Sequence, residues 1–359
     1  MLKKSTILAL LAATVIVGGC GAKSNNTNAG SAGAAEPSAP ASSQASPSAE
    51  APAQASGQIS FYTSQPEEDV VKLIAAFNKS YPDVKVETFR SGTEEVIAKL
   101  QAEKQAGGVQ ADVLLLADAV TFEGLKRQDL LLSYKSPEIE HIPAELADPD
   151  GMYTGTKVMA TVITVNTDQV TSLPTSWKAL TAAESKDAAI MPSPLYSGAA
   201  AYNVGVFSRT DGFGWEFLQS LKDNNMTVIK GNGAVLKAVA SGEKAYGMIV
   251  DFLVPREKAN GSPIDLVYPE EGVPLITEPI AILKGTDNEA AAQAFVDFVL
   301  SEEGQKLAAE IGYTPIREGV TPPAGLKGIA DFHILSGDLA TLTDEREADK
   351  KKFTELFGN

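Results

Sequence analysis

The chain has 359 residues, with 46 acidic side chains against 30 basic ones and a formal net charge of −16. So acidic a surface excludes a role built on nucleic acid or on a polybasic membrane patch, while leaving the sign of a local pocket open. A single cysteine, Cys20, rules out an intramolecular disulfide, and the length supports two lobes of about 150 residues.

Lys3 and Lys4 make a short basic start, and Ile7 to Val17 is an apolar run too short to span a bilayer comfortably. Gly18 and Gly19 then lead into Cys20. This is the layout of an export signal, residues 1–19. The stretch 20–57 carries no large apolar side chain up to Ser56, so it cannot bury enough surface to offset the entropy of ordering and reads as a tether.

From Gln58 onward, strand-like runs alternate with helical periodicity. "QISFYTS" predicts a strand, "EEDVVKLIAAFNKSY" an amphipathic helix, "VKVETFR" a strand, "TEEVIAKLQAEKQAG" a helix and "ADVLLLAD" a strand covered on both faces. This βαβαβ opening implies a parallel sheet with flanking helices. A long β-rich passage, "KVMATVITVNT", precedes the strands "AAIMPSP", "MTVIKGN" and "EKAYGMIVDF", with the helices "GAAAYNVGVFSRT", "DGFGWEFLQSLKDNN" and "GAVLKAVASG" between them. A second β-rich passage, Leu275 to Gly285, leads into one long helix, "NEAAAQAFVDFVLSEEGQKLAAEIG", and the C-terminal "LATLTDEREADKKKFTELF" spaces its apolar residues for one or two capping helices. The expected fold is α/β and two-lobed, each lobe a mostly parallel sheet flanked by helices, with the two β-rich passages as crossovers. The expected division is 58–160 plus 285–359 for lobe one and 161–284 for lobe two.

In such sheets ligands bind beyond the carboxyl ends of the strands, where loops run into helix N-termini. The junctions supply Thr63 and Ser64; Ser91, Gly92 and Thr93; Asp118; Ser193, Tyr196, Ser197, Gly198 and Ala199; Asn232; and Asp251. Helix starts carry unpaired N–H groups and a partial positive charge, so several converging on one cleft make an anion site even in an acidic protein. The same residue types are also the ordinary N-caps of helices. Asp118 and Asp251 follow apolar strands, which suits an acceptor for a ligand amine as well as a cap or a partner of Arg90 or Arg256. The turn "MPSPLYSGAAAYNV" stands out: prolines halt a strand, and Tyr196 and a Ser-Gly step open a helix with no charge in its first turns.

Signs of chemistry are sparse. His141 and His333 are the only histidines, neither has a metal-like partner at close spacing, and G-x-S-x-G, GxxxxGK[ST] and G-x-G-x-x-G are all lacking. The expectation is a binding protein with no cofactor, no metal site and no enzymatic activity.

The "VGGC" ending at Cys20 resembles the lipobox of bacterial lipoproteins. Together with "ISFYTSQPEEDVVKLIAAFNKSYPDVKVETFRSGTEEVIAKLQAE", "MPSPLYSGAAAYNV", "NGAVLKAVASGEKAYGMIVDF" and "EPIAILKGTDNEAAAQAFVDFVLSEEGQKLAAEIGYTPIR", it makes the chain resemble the extracellular solute-binding lipoproteins of ABC importers. The likeness is to the branch holding ferric-iron binders and binders of 2-aminoethylphosphonate and sugar phosphates. It implies the type II periplasmic-binding fold, a lipidated Cys20 on the outer face of the cell membrane, and a monomer that closes on its ligand and docks on a permease with cytoplasmic ATPases. Iron binders of this branch place adjacent tyrosines after the strand equivalent to "EKAYGMIVDF", whereas this chain reads Asp251-Phe252-Leu253 there and has no Tyr-Tyr pair. The "YSGAA" turn resembles the phosphate-cradling turn of the organophosphorus binders, so a phosphonate or phosphate ester is the expected ligand. Ferric iron and a sensory role feeding a membrane kinase are the rival expectations.

Overall fold

The structure, a computed structural model, describes residues 55–358. The export signal, Cys20 and the tether as far as residue 54 lie outside the described residues. Among the described residues no helix is long and apolar enough to cross a membrane.

The chain opens with β1 (Gly57–Thr63), α1 (Glu67–Ser80), β2 (Val84–Arg90), α2 (Thr93–Gln105), β3 (Val113–Leu115), α3 (Ala119–Arg127) and the short β4 (Leu131–Leu132). β1 pairs in parallel with both β2 and β3, which is the expected βαβαβ unit. Alternation along β1 sends Ile59 and Phe61 to one face and Tyr62 to the other. Phe61 meets Phe295 at 4.9 Å between ring centroids and shares a core with Val70 and Phe77 of α1. Tyr62 joins Val96 and Leu100 of α2 on the opposite face.

β5 (Thr154–Asn166) is buried at every position. It is followed by β6 (Ala189–Pro192), α4 (Gly198–Phe207), α5 (Gly214–Asp223), β7 (Thr227–Ile229), α6 (Asn232–Ala240), β8 (Tyr246–Val250), α7 (Leu253–Ala259), β9 (Ile264–Val267) and β10 (Val273–Leu283). β6 pairs in parallel with β7 and β8 around a core that includes Trp177 and Phe207, 5.1 Å apart. The main sheet path runs β2-β1-β3-β10-β5-β8-β6-β7, so the long strands β5 and β10 lie between two parallel halves. β5 changes partner within one step: Ala160 pairs with Leu275 of β10, and Thr161 with Val250 of β8.

The chain closes with α8 (Glu289–Leu300), α9 (Glu302–Ile311), β11 (Thr314–Pro315), β12 (Ile334–Leu335) and α10 (Leu339–Phe357). The single long helix expected over this region is two. Ser301 leaves the helical region at ψ 164° and caps α9 by accepting from the Gly304 amide at 3.1 Å. Gly304 makes the sharp junction tolerable, since a Cβ there would sit 2.1 Å from the Phe298 carbonyl oxygen.

The C-terminal segment forms one helix. Although the expected division groups residues 285–359 together, Leu342, Phe353 and Phe357 of α10 are buried in the core shared by β6, α4 and α5. The polar face of α10 reaches the other half. Half-buried Arg346 pairs with Asp118 at 2.9 Å and Glu94 at 2.8 Å, and Lys350 pairs with Glu94 at 2.7 Å.

Candidate functional site

The carboxyl ends of β1, β2 and β3 in one half, and of β6, β7 and β8 in the other, border a cleft of about 890 Å³. Of the helices that follow these strands, α1, α2, α4, α6 and α7 bring their N-terminal residues to its lining, and α3 does not. Of the residues expected at the site, Ser64, Gly92, Thr93, Tyr196, Ser197, Gly198, Ala199 and Asn232 line the cleft.

The helix starts are knitted together. Ser197 caps α4 by accepting from the Ala200 amide at 3.3 Å and also accepts from Asn232 Nδ2 at 3.4 Å. Asn232 Oδ1 in turn accepts from the Val250 amide at 3.2 Å, which ties the start of α6 to the end of β8. In the other half, Ser64 Oγ accepts from the Ala117 amide at 3.3 Å. α1, α2 and α6 have no side-chain cap bond at all, their N-cap positions being Pro66, Gly92 and Gly231. Without such a cap, the first N–H groups of a helix are available to water or to a ligand.

The two halves touch across the cleft at glycines. The Glu94 amide donates to the Tyr196 carbonyl at 3.3 Å, so one orphan donor of α2 is satisfied by the opposite half. A Cβ on Gly92 would lie 2.5 Å from that carbonyl oxygen and 2.6 Å from the Tyr196 ring, and one on Gly198 would lie 2.5 Å from the Ala117 carbonyl oxygen. Lys230 spans the same seam, 2.9 Å from Glu95 and 4.6 Å above the Tyr196 ring. Its hydrogen bond to Glu95 raises the Lys230 pKa, while Ser91 and then Lys230 lower that of Glu95.

The remaining expected residues are engaged elsewhere. Thr63 is fully buried and donates to the Leu115 carbonyl at 2.8 Å. Ser91 bonds Glu95, and Ser193 accepts from the Leu195 amide at 3.2 Å within its own turn. Asp118, 1% exposed, caps α3 through the Thr121 amide at 2.9 Å and pairs with Arg346, rather than with Arg90 or a ligand in the cleft. Burial pushes its pKa up against the pull of Arg346.

Asp251 is equally buried and sits beside the point where β5 changes partner. It exchanges two bonds with Ala160, Asp251 N to Ala160 O at 2.8 Å and Ala160 N to Asp251 Oδ1 at 3.1 Å, and accepts from the Tyr268 hydroxyl at 3.0 Å. Burial raises its pKa to about 7, only partly offset by these donors. Arg256, its alternative partner by sequence, is instead held 3.0 Å from Asp69.

The cleft also holds charged residues that a search for hydroxyls and glycines passes over. Arg90 is the last residue of β2, and Lys230 follows the last residue of β7. Cations at strand ends that face helix starts were the legible signal. Buried Glu278 also lines the cleft, neutralised by Lys157 at 2.8 Å, and Phe252 and Met159 contribute apolar wall. Tyr196 is the one tyrosine among the lining residues. Tyr202 lies outside the lining, and its phenol is held protonated, with a pKa pushed to about 12 by burial. Among the described residues no group of three or more His, Cys, Asp or Glu side chains is placed to hold a metal ion.

A family model described as bacterial extracellular solute-binding protein matches residues 72–331. An uncharacterized protein of Haemophilus influenzae is 30% identical over 273 residues, 72% of this chain and 78% of the relative. A probable ABC transporter periplasmic-binding protein of Sinorhizobium fredii is 24% identical over 242 residues, 64% of this chain and 67% of the relative. Among solved structures, the periplasmic binding protein AfuA from Actinobacillus pleuropneumoniae, with fructose-6-phosphate bound, superposes with a TM-score of 0.77 at 25% identity, covering 84% of this chain and 98% of that one. Iron-bound HitA from Pseudomonas aeruginosa gives a TM-score of 0.72 at 22% identity, covering 82% and 99%. The fold is thus the two-lobed type II arrangement of periplasmic binding proteins.

Proposed function

The chain belongs to the bacterial extracellular solute-binding protein family of ABC importers, and from that premise we propose that it captures a small phosphonate or phosphate-ester anion between its lobes and passes it, chemically unchanged, to a membrane permease. The observation that carries the choice of ligand is electrostatic. The first turns of α4 and α6 contain no acidic residue, whereas those of α1 and α2 contain Glu67, Glu68, Asp69, Glu94 and Glu95. Helix starts free of acidic side chains, with Lys230 just before α6 and Arg90 also in the lining, favour an anion on the α4–α6 side, each start contributing roughly 0.3–1 kcal/mol and up to ~2 when partly buried.

Ser64, Thr93 and Asn232 add short polar side chains around that point, and Tyr196 forms a wall beneath Lys230. A ferric site of phenolate oxygens is poorly supported, because Tyr196 has no tyrosine partner in the cleft. In this reading a lipid on Cys20 anchors the protein, as a monomer, to the outer face of the cell membrane. The contacts at Gly92 and Gly198 are those of lobes brought together, as capture requires.

A thermal-shift panel of 2-aminoethylphosphonate, sugar phosphates, inorganic phosphate and ferric citrate tests this function. A ligand at 100 times its Kd stabilises the fold by ~2.7 kcal/mol. Stabilisation by a phosphorus compound is the expected result, and a response to iron alone refutes the reading.

A further inference from the structure

The cleft does not end at the helix starts. It continues along α6, where Leu236, Lys237, Ala240 and Ser241 form one helical stripe, and it takes in Leu253 and Glu257 of α7. From Asn232 to Ser241 the helix runs about 13 Å at 1.5 Å per residue. The full 890 Å³ stands near the top of the range of roughly 300–1,000 Å³ that holds small-molecule ligands. A two-carbon phosphonate occupies only the end at the helix starts.

The arm has a chemistry of its own. Leu236, Ala240 and Leu253 are half-buried and supply apolar wall. Ser241 uses its hydrogen on the Ala238 carbonyl at 3.2 Å, which leaves its oxygen free to accept. Glu257 is steadied by the Ser262 hydroxyl and by Asn260 Nδ2 at 3.4 Å, and so presents a fixed carboxylate to a lining that also holds exposed Lys237. An apolar strip edged by hydrogen-bonding groups matches a polyhydroxylated body with one apolar face.

We propose that this arm binds the carbon body of the ligand, so that the protein selects phosphate esters with a sugar-sized body over two-carbon phosphonates and inorganic phosphate. The inference rests on the phosphorus reading of the helix starts and adds the size and character of what is attached to the anion.

Calorimetric titration of the full chain with inorganic phosphate, 2-aminoethylphosphonate, glycerol 3-phosphate and a hexose 6-phosphate tests it. The expected result is a hexose phosphate bound at least tenfold more tightly than 2-aminoethylphosphonate. Ser241→Trp, which fills the arm from an exposed helix end, removes that preference while changing the smaller compounds less than twofold. Equal binding of small and large compounds by the unaltered chain overturns the arm while leaving the anion site standing, and that comparison decides the matter even if the variant folds poorly. A size preference that survives Ser241→Trp in a folded variant overturns the arm as well. Failure of every phosphorus compound to bind overturns the underlying reading of the ligand.

Discussion

Gly92→Ala separates lobe closure from folding. Gly92 has φ −66° and ψ 154°, a conformation alanine adopts freely, so the substitution introduces no backbone strain. Its methyl group would instead lie 2.5 Å from the Tyr196 carbonyl oxygen and 2.6 Å from the Tyr196 ring, across the cleft. Such contacts settle near 3.5 Å, so the lobes must part by about 1 Å at this seam. Overpacking of this kind costs about 1–3 kcal/mol, and here the cost falls on the closed form alone. Ligand Kd therefore rises by about 5- to 150-fold, since each 1.4 kcal/mol is a factor of ten. The ligand-free protein relieves the clash by opening and keeps its stability within about 0.5 kcal/mol. Titration calorimetry reads the first quantity, thermal melting the second, and small-angle scattering shows whether ligand still compacts the chain. Unchanged affinity together with unchanged compaction would refute the idea that closure brings Tyr196 onto Gly92.

Other substitutions address the groups around the cleft. The folded Asp251 carboxyl, raised from the usual 3.8 to about 7, retains a proton that the unfolded chain releases. Its contribution to stability is therefore fully present at low pH and is lost as pH rises between about 4 and 7. Three pKa units correspond to roughly 4 kcal/mol, so Asp251→Asn should gain about that much relative to the parent between pH 4 and pH 8, and a pH-independent difference in melting sinks the argument. Arg346→Met leaves Asp118 buried without its partner at 2.9 Å and should destabilise the fold by about 3–5 kcal/mol, measured by urea unfolding; a loss under 1 kcal/mol contradicts the buried pairing. Ser197→Ala removes the cap on the Ala200 amide and should cost about 1 kcal/mol in stability as well as weaken ligand binding, whereas unaltered binding would make Ser197 a cap and nothing more.

The parallel units were legible because their signals are local. Alternation in β1, the apolar stripe of α1 and the prolines that end β6 each act over a few residues. The break between α8 and α9 was not, because an apolar stripe runs across it and only the capping serine Ser301 and Gly304 mark the turn. The "YSGAA" turn and the Gly92 loop lie on one cleft, since strand carboxyl ends converge by topology. Asp118 and Asp251 illustrate the limit. A carboxylate after an apolar strand reads the same whether it faces a ligand or a distant arginine, and Arg346 lies 228 residues beyond Asp118. Arg90 and Lys230 were missed for a different reason: each looks like an ordinary solvated cation until the sheet places it at the rim of the cleft.

The most direct test of the central claim is chemical identification, by mass spectrometry and elemental analysis, of the small molecule released when the protein, purified from its own cells, is denatured. The account predicts a phosphorus-containing anion in roughly one-to-one amount with the protein. Recovery of iron, or of a solute without phosphorus, would contradict it.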